Sequence, residues 1–546
     1  MSGIDTQQDR PARRKAVRQA TLASGAALTL GVVMAASPAQ AATFTVRNLN
    51  DSGADSLRQA VLDANAAAGA DVIDFQAGLT GTITLTTGEL AVTDFLDVQG
   101  PGAAVITVSG NGASRVVNVD DGGVDFIDVS ISGLTLTAGS AMNGAGVFNQ
   151  DEHLTLADCV ITGNTAAGNG GGIAANASAQ VTITGTTISG NSAVEAGGGI
   201  NADGATVAIT GSTVAGNSAA DGAGIALASG QLTLTNSTVS GNTASNQGGG
   251  LLLLYAYSPA LRHTTVAGNS ADSGGGVFIS NGSLSVDNTI LADNTADGSP
   301  NDVDGSGTLN SLFSLIESPG TATVNDGGGT ILNQDPQLGP LADNGGPTQT
   351  QKPALTSPAV NAGDSSFTPP PSTDQRGPGF PRLSGGRLDI GAVELAAGTL
   401  QFSLSAYSVN EDGVTATITV TRTGGSEGPA SVMYQTADGT ATQPADYLPA
   451  SGTLNWADGD TVPKTFQVPI VDDLLEEGNE TVILLLSNGQ TAVLTIVDDD
   501  QPIPPPAPPA EVPTLGEMGK LLFAGLFGLA GLSFLRRRKP AEKNAG

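Results

Sequence analysis

The sequence predicts an all-β chain: a parallel β-helix solenoid, then an antiparallel β-sandwich, with a C-terminal transmembrane helix. Three observations carry this. Six near-identical turns recur: Gly163-Asn164-Thr165-Ala166, Gly190-Asn191-Ser192-Ala193, Gly216-Asn217-Ser218-Ala219, Gly241-Asn242-Thr243-Ala244, Gly268-Asn269-Ser270-Ala271 and Asp293-Asn294-Thr295-Ala296. Their asparagines fall 27, 26, 25, 27 and 25 residues apart, so one unit is stacked on itself. From Phe402 the repeat gives way to alternating strands, and near the end an apolar run from Leu521 to Leu535 precedes Arg536-Arg537-Arg538-Lys539.

Residues 1–41 have the grammar of an export signal. Arg13, Arg14, Lys15 and Arg18 precede an apolar stretch from Ala20 to Ala36, and Ala39-Gln40-Ala41 is a small-x-small cleavage site. The β-helix is expected over 42–396, capped by a helix near 55–65. There Ser56 with Gln59 makes a capping box, and Leu57, Ala60, Val61 and Ala64 share one face. The cap's task is to plug the open first coil, whose bare edge would invite aggregation.

Counting back from each repeat Asn gives the coils. Leu154, Val181, Val207, Leu232, Pro259 and Leu284 form one column, and Leu156, Ile183, Ile209, Leu234, Leu261 and Val286 a second. Both alternate with polar residues, as a half-buried strand does. Ile161, Ile188, Val214, Val239, Val266 and Leu291 form a third column. A Gly-aliphatic marker (Gly146-Val147, Gly172-Ile173, Gly199-Ile200, Gly224-Ile225, Gly250-Leu251, Gly276-Val277) opens another strand. Each coil therefore offers at least two strands joined by Gly/Asn corners. Stacked at about 4.8 Å, like residues form ladders, the Asn among them. A leucine-rich horseshoe competes, but the second half-coil has no helical period and its Gly runs weaken a helix.

The "SLRQA…AN" segment (Ser56 to Asn65) resembles the N-terminal motif of secreted bacterial right-handed β-helix proteins. Asn361-Ala362-Gly363, Thr373-Asp374-Gln375-Arg376-Gly377 and Leu388-Asp389-Ile390-Gly391-Ala392-Val393-Glu394 resemble the close of choice-of-anchor Q proteins. That resemblance covers 43 to about 395, and no general catalytic activity comes with it. Residues 301–372 are irregular and proline-rich.

The sandwich is expected over 397–500, where residues 398–500 hold 15 acidic and two basic side chains. The acids cluster at strand ends: Glu411-Asp412; Asp472-Asp473 with Glu476, Glu477 and Glu480; and Asp498-Asp499-Asp500. Composition alone leaves a calcium site and a solvated acidic rim both open. Val409-Asn410-Glu411, the segment Tyr434 to Ala441, Asp446-Tyr447, Ser451-Gly452-Thr453-Leu454, Glu477-Gly478-Asn479-Glu480-Thr481 and the closing triple Asp closely resemble a Calx-β domain along its full length. The resemblance implies calcium as cofactor, with Glu411, Asp446, Asp472, Asp473, Glu477, Asp498, Asp499 and Asp500 as ligands.

A proline-rich spacer follows at 501–511, then a tail at 512–546 with its membrane segment at 518–535. Pro513, Thr514, Leu515, Glu517 and Gly519 make this tail resemble IPTL-CTERM sorting signals, which implies an exosortase-type processing enzyme; Val512, Gly516 and Met518 depart from that pattern. The basic cluster stays cytoplasmic. Expected localisation is the outer surface or matrix of a Gram-negative bacterium, with transient inner-membrane anchoring.

The formal charge is −31; residues 1–41 and 511–546 each sum to +3, so the exported middle carries −37. That excludes nucleic acid as a partner. The lone cysteine, Cys159, sits in the column of Thr186, Ser212, Ser237, Thr264 and Thr289 and reads as a small ladder residue. No catalytic constellation is expected: His153 and His263 lie 110 residues apart, and His263 occupies the corner column of Asp158, Gly185, Gly211, Asn236 and Asn288. Asp71 with Asp74, or Asp120, Asp121, Asp125 and Asp128, are the carboxylates from which an acid/base pair would have to come. Tyr255 and Tyr257 offer either a sugar-stacking platform or a self-covering loop. The expected function is a surface-anchored structural or adhesive protein with a glycan or surface-protein partner. The alternatives are a polysaccharide lyase or hydrolase, and a self-assembling stalk.

Overall fold

The computed structural model describes residues 41–123, 126–384 and 387–500. The export signal up to residue 40, the proline-rich spacer, the sorting tail and Asp125 lie outside the described residues. Among the described residues no helix is long and apolar enough to cross a membrane. The chain divides into two compact units between Glu394 and Leu395.

The first unit is a solenoid whose coils stack into sheets of 12, 11, 9 and 8 strands. One coil shows the plan: Gln180–Thr184, Thr187–Ser189, Ser192–Ala193 and Ile200–Asp203, each in a different sheet. Registers follow the columns: Leu154 pairs in parallel with Val181, Val181 with Val207, Ile161 with Ile188, and Ile173 with Ile200. These residues are buried, so the tube core is one continuous aliphatic cluster from Val46 to Val303 and beyond. Two glycines of the Gly-rich marker have different work. Gly170 sits at φ 67, whereas a Cβ on Gly172 would meet Gly199 O at 2.5 Å, so it is needed for close coil approach.

The asparagines form the expected ladder and supply the corners' hydrogen bonds. Asn164 Nδ2 donates to Asn191 Oδ1 at 2.9 Å, Asn191 to Asn217 at 3.0 Å, Asn217 to Asn242, Asn242 to Asn269 and Asn269 to Asn294, each at 2.9 Å. Each Oδ1 also accepts the backbone N–H of the preceding rung. The ladder ends on Asp302, which accepts from Asn294 Nδ2 at 2.9 Å and from Ser318 N at 2.6 Å. An acceptor-only side chain suits the last rung, where nothing further along needs a donor. Burial pushes the Asp302 carboxyl up to about 6.

The cap helix is Leu57–Ala66, with Ser56 Oγ accepting Gln59 N at 3.2 Å and Leu57, Ala60, Val61 and Ala64 buried. Arg58 ties it down through Asp51 at 2.8 Å and the carbonyls of Gly88 and Glu89, and Asn65 does so through Ala91 and Thr93. This is why the N-terminal motif has those residues.

The irregular region resolves into short last-coil strands, Val303–Gly305, Thr308–Leu312, Leu315–Ile316, Thr323–Asp326 and Ile331–Leu332, and a strap over 333–394. The strap is fastened to the solenoid wall. Gln375 receives Thr238 Oγ1 at 2.6 Å and donates to Ser212 O and Thr213 Oγ1, while Asn236 Nδ2 donates to Thr373 O. Within it, the buried pair Arg376–Asp374 at 2.8 Å, with Glu394 N on Asp374 and Asp389 N on Glu394, folds the closing motif on itself. The motif is thus a clamp.

The second unit is a sandwich of a three-stranded and a five-stranded sheet. The first holds Ala397–Phe402, Thr415–Gly425 and Lys464–Pro469; the second holds Ala406–Asn410, Thr491–Val497, Glu480–Leu486, Ala430–Asp438 and Ser451–Trp456. Inward residues alternate, and Trp456, Tyr447, Ile418, Val468, Val482, Leu484 and Leu494 fill the core between them.

Candidate metal centre

Topology gathers acids from separated segments at one end of the sandwich. Strand Ala406–Asn410 runs parallel to Thr491–Val497 with Asn410 opposite Val497, so Glu411 and Asp498–Asp500 emerge side by side. Glu480–Leu486 is antiparallel to that strand, Glu480 facing Ile496, so Glu477 and Glu480 arrive at the same end. A bridge between Tyr447 and Ile470 brings in Asp446 and, just beyond, Asp472 and Asp473. Tyr447 is fully buried and its hydroxyl donates to Asp438 Oδ1 at 2.7 Å, which pins the loop carrying Asp446.

Two trios result. Carboxylate oxygens of Glu411, Asp498 and Asp500 lie within 4.8 Å of one another, as do those of Asp446, Glu477 and Glu480. Of the eight residues implied by resemblance, the structure brings these five together and adds Glu480. Asp472, Asp473 and Asp499 are exposed and lie outside both trios. Their charge still reaches the site: Asp473 bears on Glu411 and Glu477, and Asp472 and Asp499 on Asp500. Glu480 stood in the acidic cluster visible in the sequence, but only the fold sets it beside Asp446, 34 positions away.

The electrostatics are those of like charges held together. Glu411 is pushed up by burial and then by Asp473. Glu480 is pushed up to about 7 by desolvation, by its hydrogen bond with Asp446 and by the charges of Asp446 and Glu477. Glu477 and Asp500 are raised by desolvation and then by the charges of neighbouring carboxylates. Asp498 is held below the usual range because Gly478 N at 2.8 Å and Asp500 N at 3.0 Å donate to it. None of the six has an ion-pair partner among the described residues, and Asp500 Oδ2 is buried with no hydrogen-bond partner. Six hard oxygen-donor side chains, one with an orphaned oxygen, fit a hard divalent cation. Calcium suits them better than magnesium, which keeps more of its waters and demands stricter geometry.

Four titratable groups of the solenoid, His263, His153, Cys159 and Glu152, sit in structural surroundings. His263 sits at φ 50 in the corner column with Asp158, Asn236 and Asn288, and burial and two arginine charges push it down to about 3. His153 pairs with Asp128 at 2.9 Å and stacks on Phe126. Cys159 is buried, its thiol pushed up to about 11 by desolvation. Asp120, Asp121 and Glu152 form a third acidic trio, which the sequence reading missed because Glu152 lies a full coil away. Both oxygens of Glu152 are taken by the backbone N–H groups of Asp121 and Ile127, a structural use.

The comparisons agree with this division. The family model for the right handed beta helix region matches residues 117–312, and that for the Calx-beta domain matches residues 394–500. Among solved structures, the apo-form Calx CBD1 domain is 30% identical over 18% of this chain and 96% of that chain, at a TM-score of 0.18. The calcium binding domain CBD12 of CALX1.1 is 29% identical over 19% of this chain and 45% of that chain, also at 0.18. The Calx CBD2 domain is 20% identical over 23% of this chain and 78% of that chain, at 0.16. The chain therefore carries a right-handed β-helix region followed by a Calx-β domain.

Proposed function

We propose that this is an exported, surface-tethered adhesive or structural protein whose Calx-β domain takes calcium. The observation that carries the calcium half is the pair of carboxylate trios, with Glu411, Asp498 and Asp500 in one and Asp446, Glu477 and Glu480 in the other. Calcium supplies the positive charge that lets six carboxylates share one end of a sandwich, stiffening loops that otherwise repel. Asp472, Asp473 and Asp499 complete the set that the Calx-β resemblance implies, as an outer ring of charge. The export-signal grammar of residues 1–41 and the resemblance of the tail to signals processed by an exosortase-type enzyme support an ectodomain outside the cytoplasm.

Protons and calcium compete for the same oxygens. Glu480 titrates near 7, so calcium affinity falls as pH drops from 8 to 6, and binding at neutral pH releases protons. The sign for stability is opposite in the cation-free domain. Raised carboxyls favour the fold when protonated, so that stabilisation is present below the ordinary carboxyl range and is lost as pH rises through about 7. The calcium-free domain melts higher at pH 5 than at pH 8, and saturating calcium removes the difference; calorimetry at both pH values checks it.

The adhesive half is supported by the solenoid's wide face. A groove of about 430 Å³ is lined by Arg262, Ser285, Asp287, Asn310 and Asn325, among others. Tyr255 and Tyr257, each 62% exposed, stand in the loop entering the strand Ala260–Arg262. Exposed aromatic faces, and separately a groove of amide, carboxylate and guanidinium groups, are each chemistry that recognises sugars. The test incubates the exported chain with bacterial and plant polysaccharides, in calcium and in chelator. Retained, uncut glycan, reduced by Tyr255→Ala with Tyr257→Ala, is the expected result; new shorter chains would replace the adhesin by an enzyme. No retention would favour a self-assembling stalk.

A further inference from the structure

Asp71 is the first residue of the strand Asp71–Phe75, and it is fully buried. Its Oδ1 accepts the backbone N–H of Ala42 at 2.7 Å, and its Oδ2 is buried without a hydrogen-bond partner. A buried carboxylate with one oxygen unused is costly, and the usual remedy is a cationic donor. None of the ion pairs among the described residues supplies one from a side chain.

Ala42 is held from both sides, because its carbonyl accepts Val72 N at 2.8 Å while its nitrogen faces Asp71. The strand Thr43–Val46 begins at the next residue and pairs with Asp71–Phe75. Ala42 is also the residue that follows the small-x-small triplet Ala39-Gln40-Ala41. Two independent lines therefore meet on one atom: sequence grammar puts a cleavage just before the nitrogen that geometry puts on the orphaned carboxylate.

We propose that a leader peptidase hydrolyses the Ala41–Ala42 bond and that the α-ammonium so created docks on Asp71, closing the first coil with an ion pair the precursor lacks. Water is consumed; Ala41 departs with the new carboxylate on the leader. Ala42 keeps the amine, which takes a proton at neutral pH. In the precursor this nitrogen is an amide with one hydrogen, which Oδ1 already uses. The ammonium has three hydrogens and a charge, and so serves Oδ2 as well. The consequence is that the N-terminal edge of the solenoid reaches full stability only after removal of the leader.

This inference rests on the export reading, and two measurements separate their failures. The N-terminal peptide of the full-length chain, exported from cells, is identified by mass spectrometry. A start at Ala42 is expected; any other start, or an unprocessed chain, overturns the proposed cleavage. The docking is tested with Gly-Ser inserted between Ala41 and Ala42, in the native background and with Asp71→Asn. The insertion moves the charge away and is expected to lower the Tm of the solenoid by about 5 °C with Asp71, and by less than about 1 °C with Asn there. Hydrogen exchange in the peptides 42–47 and 71–76 is expected to quicken about tenfold with Asp71 only. An equal loss in both backgrounds, or none in either, overturns the ion pair and leaves export standing. Should Asp71→Asn not fold, selective acetylation of the α-amine in the folded native chain removes the same charge. It must then reproduce the loss of Tm and the faster exchange, and a chain unaffected by it overturns the docking.

Discussion

Adding calcium to the chelator-treated chain raises the melting temperature of the Calx-β unit by about 10 °C or more, and leaves the solenoid transition where it was. Any ligand that binds only the folded state stabilises it, by about 2.7 kcal/mol at a hundredfold excess over Kd. In a domain of about 100 residues each kcal/mol shifts Tm by about 4–8 °C. The shift is large here because the cation-free state carries six carboxylates in two trios whose oxygens lie within 4.8 Å. Glu411→Gln removes one charge from the first trio and Glu480→Gln one from the second; each is expected to weaken calcium binding at least tenfold. In the absence of calcium the same changes relieve repulsion, so both variants should melt slightly above the native chain in chelator. That crossover separates a ligand from a packing residue, whose loss would lower both curves. Differential scanning calorimetry with and without calcium reads all of it.

Asn242→Ala destabilises the solenoid by about 4 kcal/mol. The side chain makes four buried hydrogen bonds: it accepts Asn217 N at 3.0 Å and Asn217 Nδ2 at 2.9 Å, and donates to Val214 O at 3.0 Å and Asn269 Oδ1 at 2.9 Å. Truncation leaves the four partner groups, in the two flanking coils, without water to replace it, at about 1 kcal/mol for each hydrogen bond lost. Asn242→Asp is expected to be worse, since an oxygen then faces Val214 O and Asn269 Oδ1, and a charge is buried as well. At the end of the ladder the opposite holds. Asp302 faces donors on both sides, Asn294 Nδ2 and Ser318 N, and is tolerated. Chemical denaturation of the two variants against the native chain measures the difference.

The coil was legible because its constraint repeats. Leu154, Val181, Val207 and Leu232 show in the sequence as a column and in the structure as neighbouring rungs. A ladder of identical contacts imposes the same residue type every 25–27 positions, and such a period survives without any alignment. The four-sheet cross-section was less visible. Ser192–Ala193 and its equivalents are two residues long, too short for any alternation to register. The strap over 333–394 showed no period because it binds the wall by individual contacts, such as Gln375 on Thr238. Its motif was recognisable by resemblance, and its clamp of Asp374, Arg376 and Glu394 became intelligible only with the contacts in place.

The candidate site was legible in kind and partly in membership. Acids at strand ends follow from the sequence, but which of them converge depends on strand pairing. Parallel pairing of Ala406–Asn410 with Thr491–Val497 puts Glu411 against Asp498, a juxtaposition across 87 positions that no local pattern reveals. Glu480 meets Asp446 because the bridge of Tyr447 to Ile470 brings the Asp446 loop to the same end, while Asp472, Asp473 and Asp499 face solvent. Asp71 belongs to the same class. As a carboxylate near Asp74 it was indistinct in the sequence, and its orphaned oxygen appears only once Ala42 is placed against it.

The measurement that tests the central claim most directly is an anomalous difference map from crystals of the chain grown in calcium. The account predicts peaks at the two trios, one bounded by Glu411, Asp498 and Asp500 and the other by Asp446, Glu477 and Glu480. Peaks confined to the exposed Asp472, Asp473 and Asp499, or no peak at this end of the sandwich at saturating calcium, would contradict it.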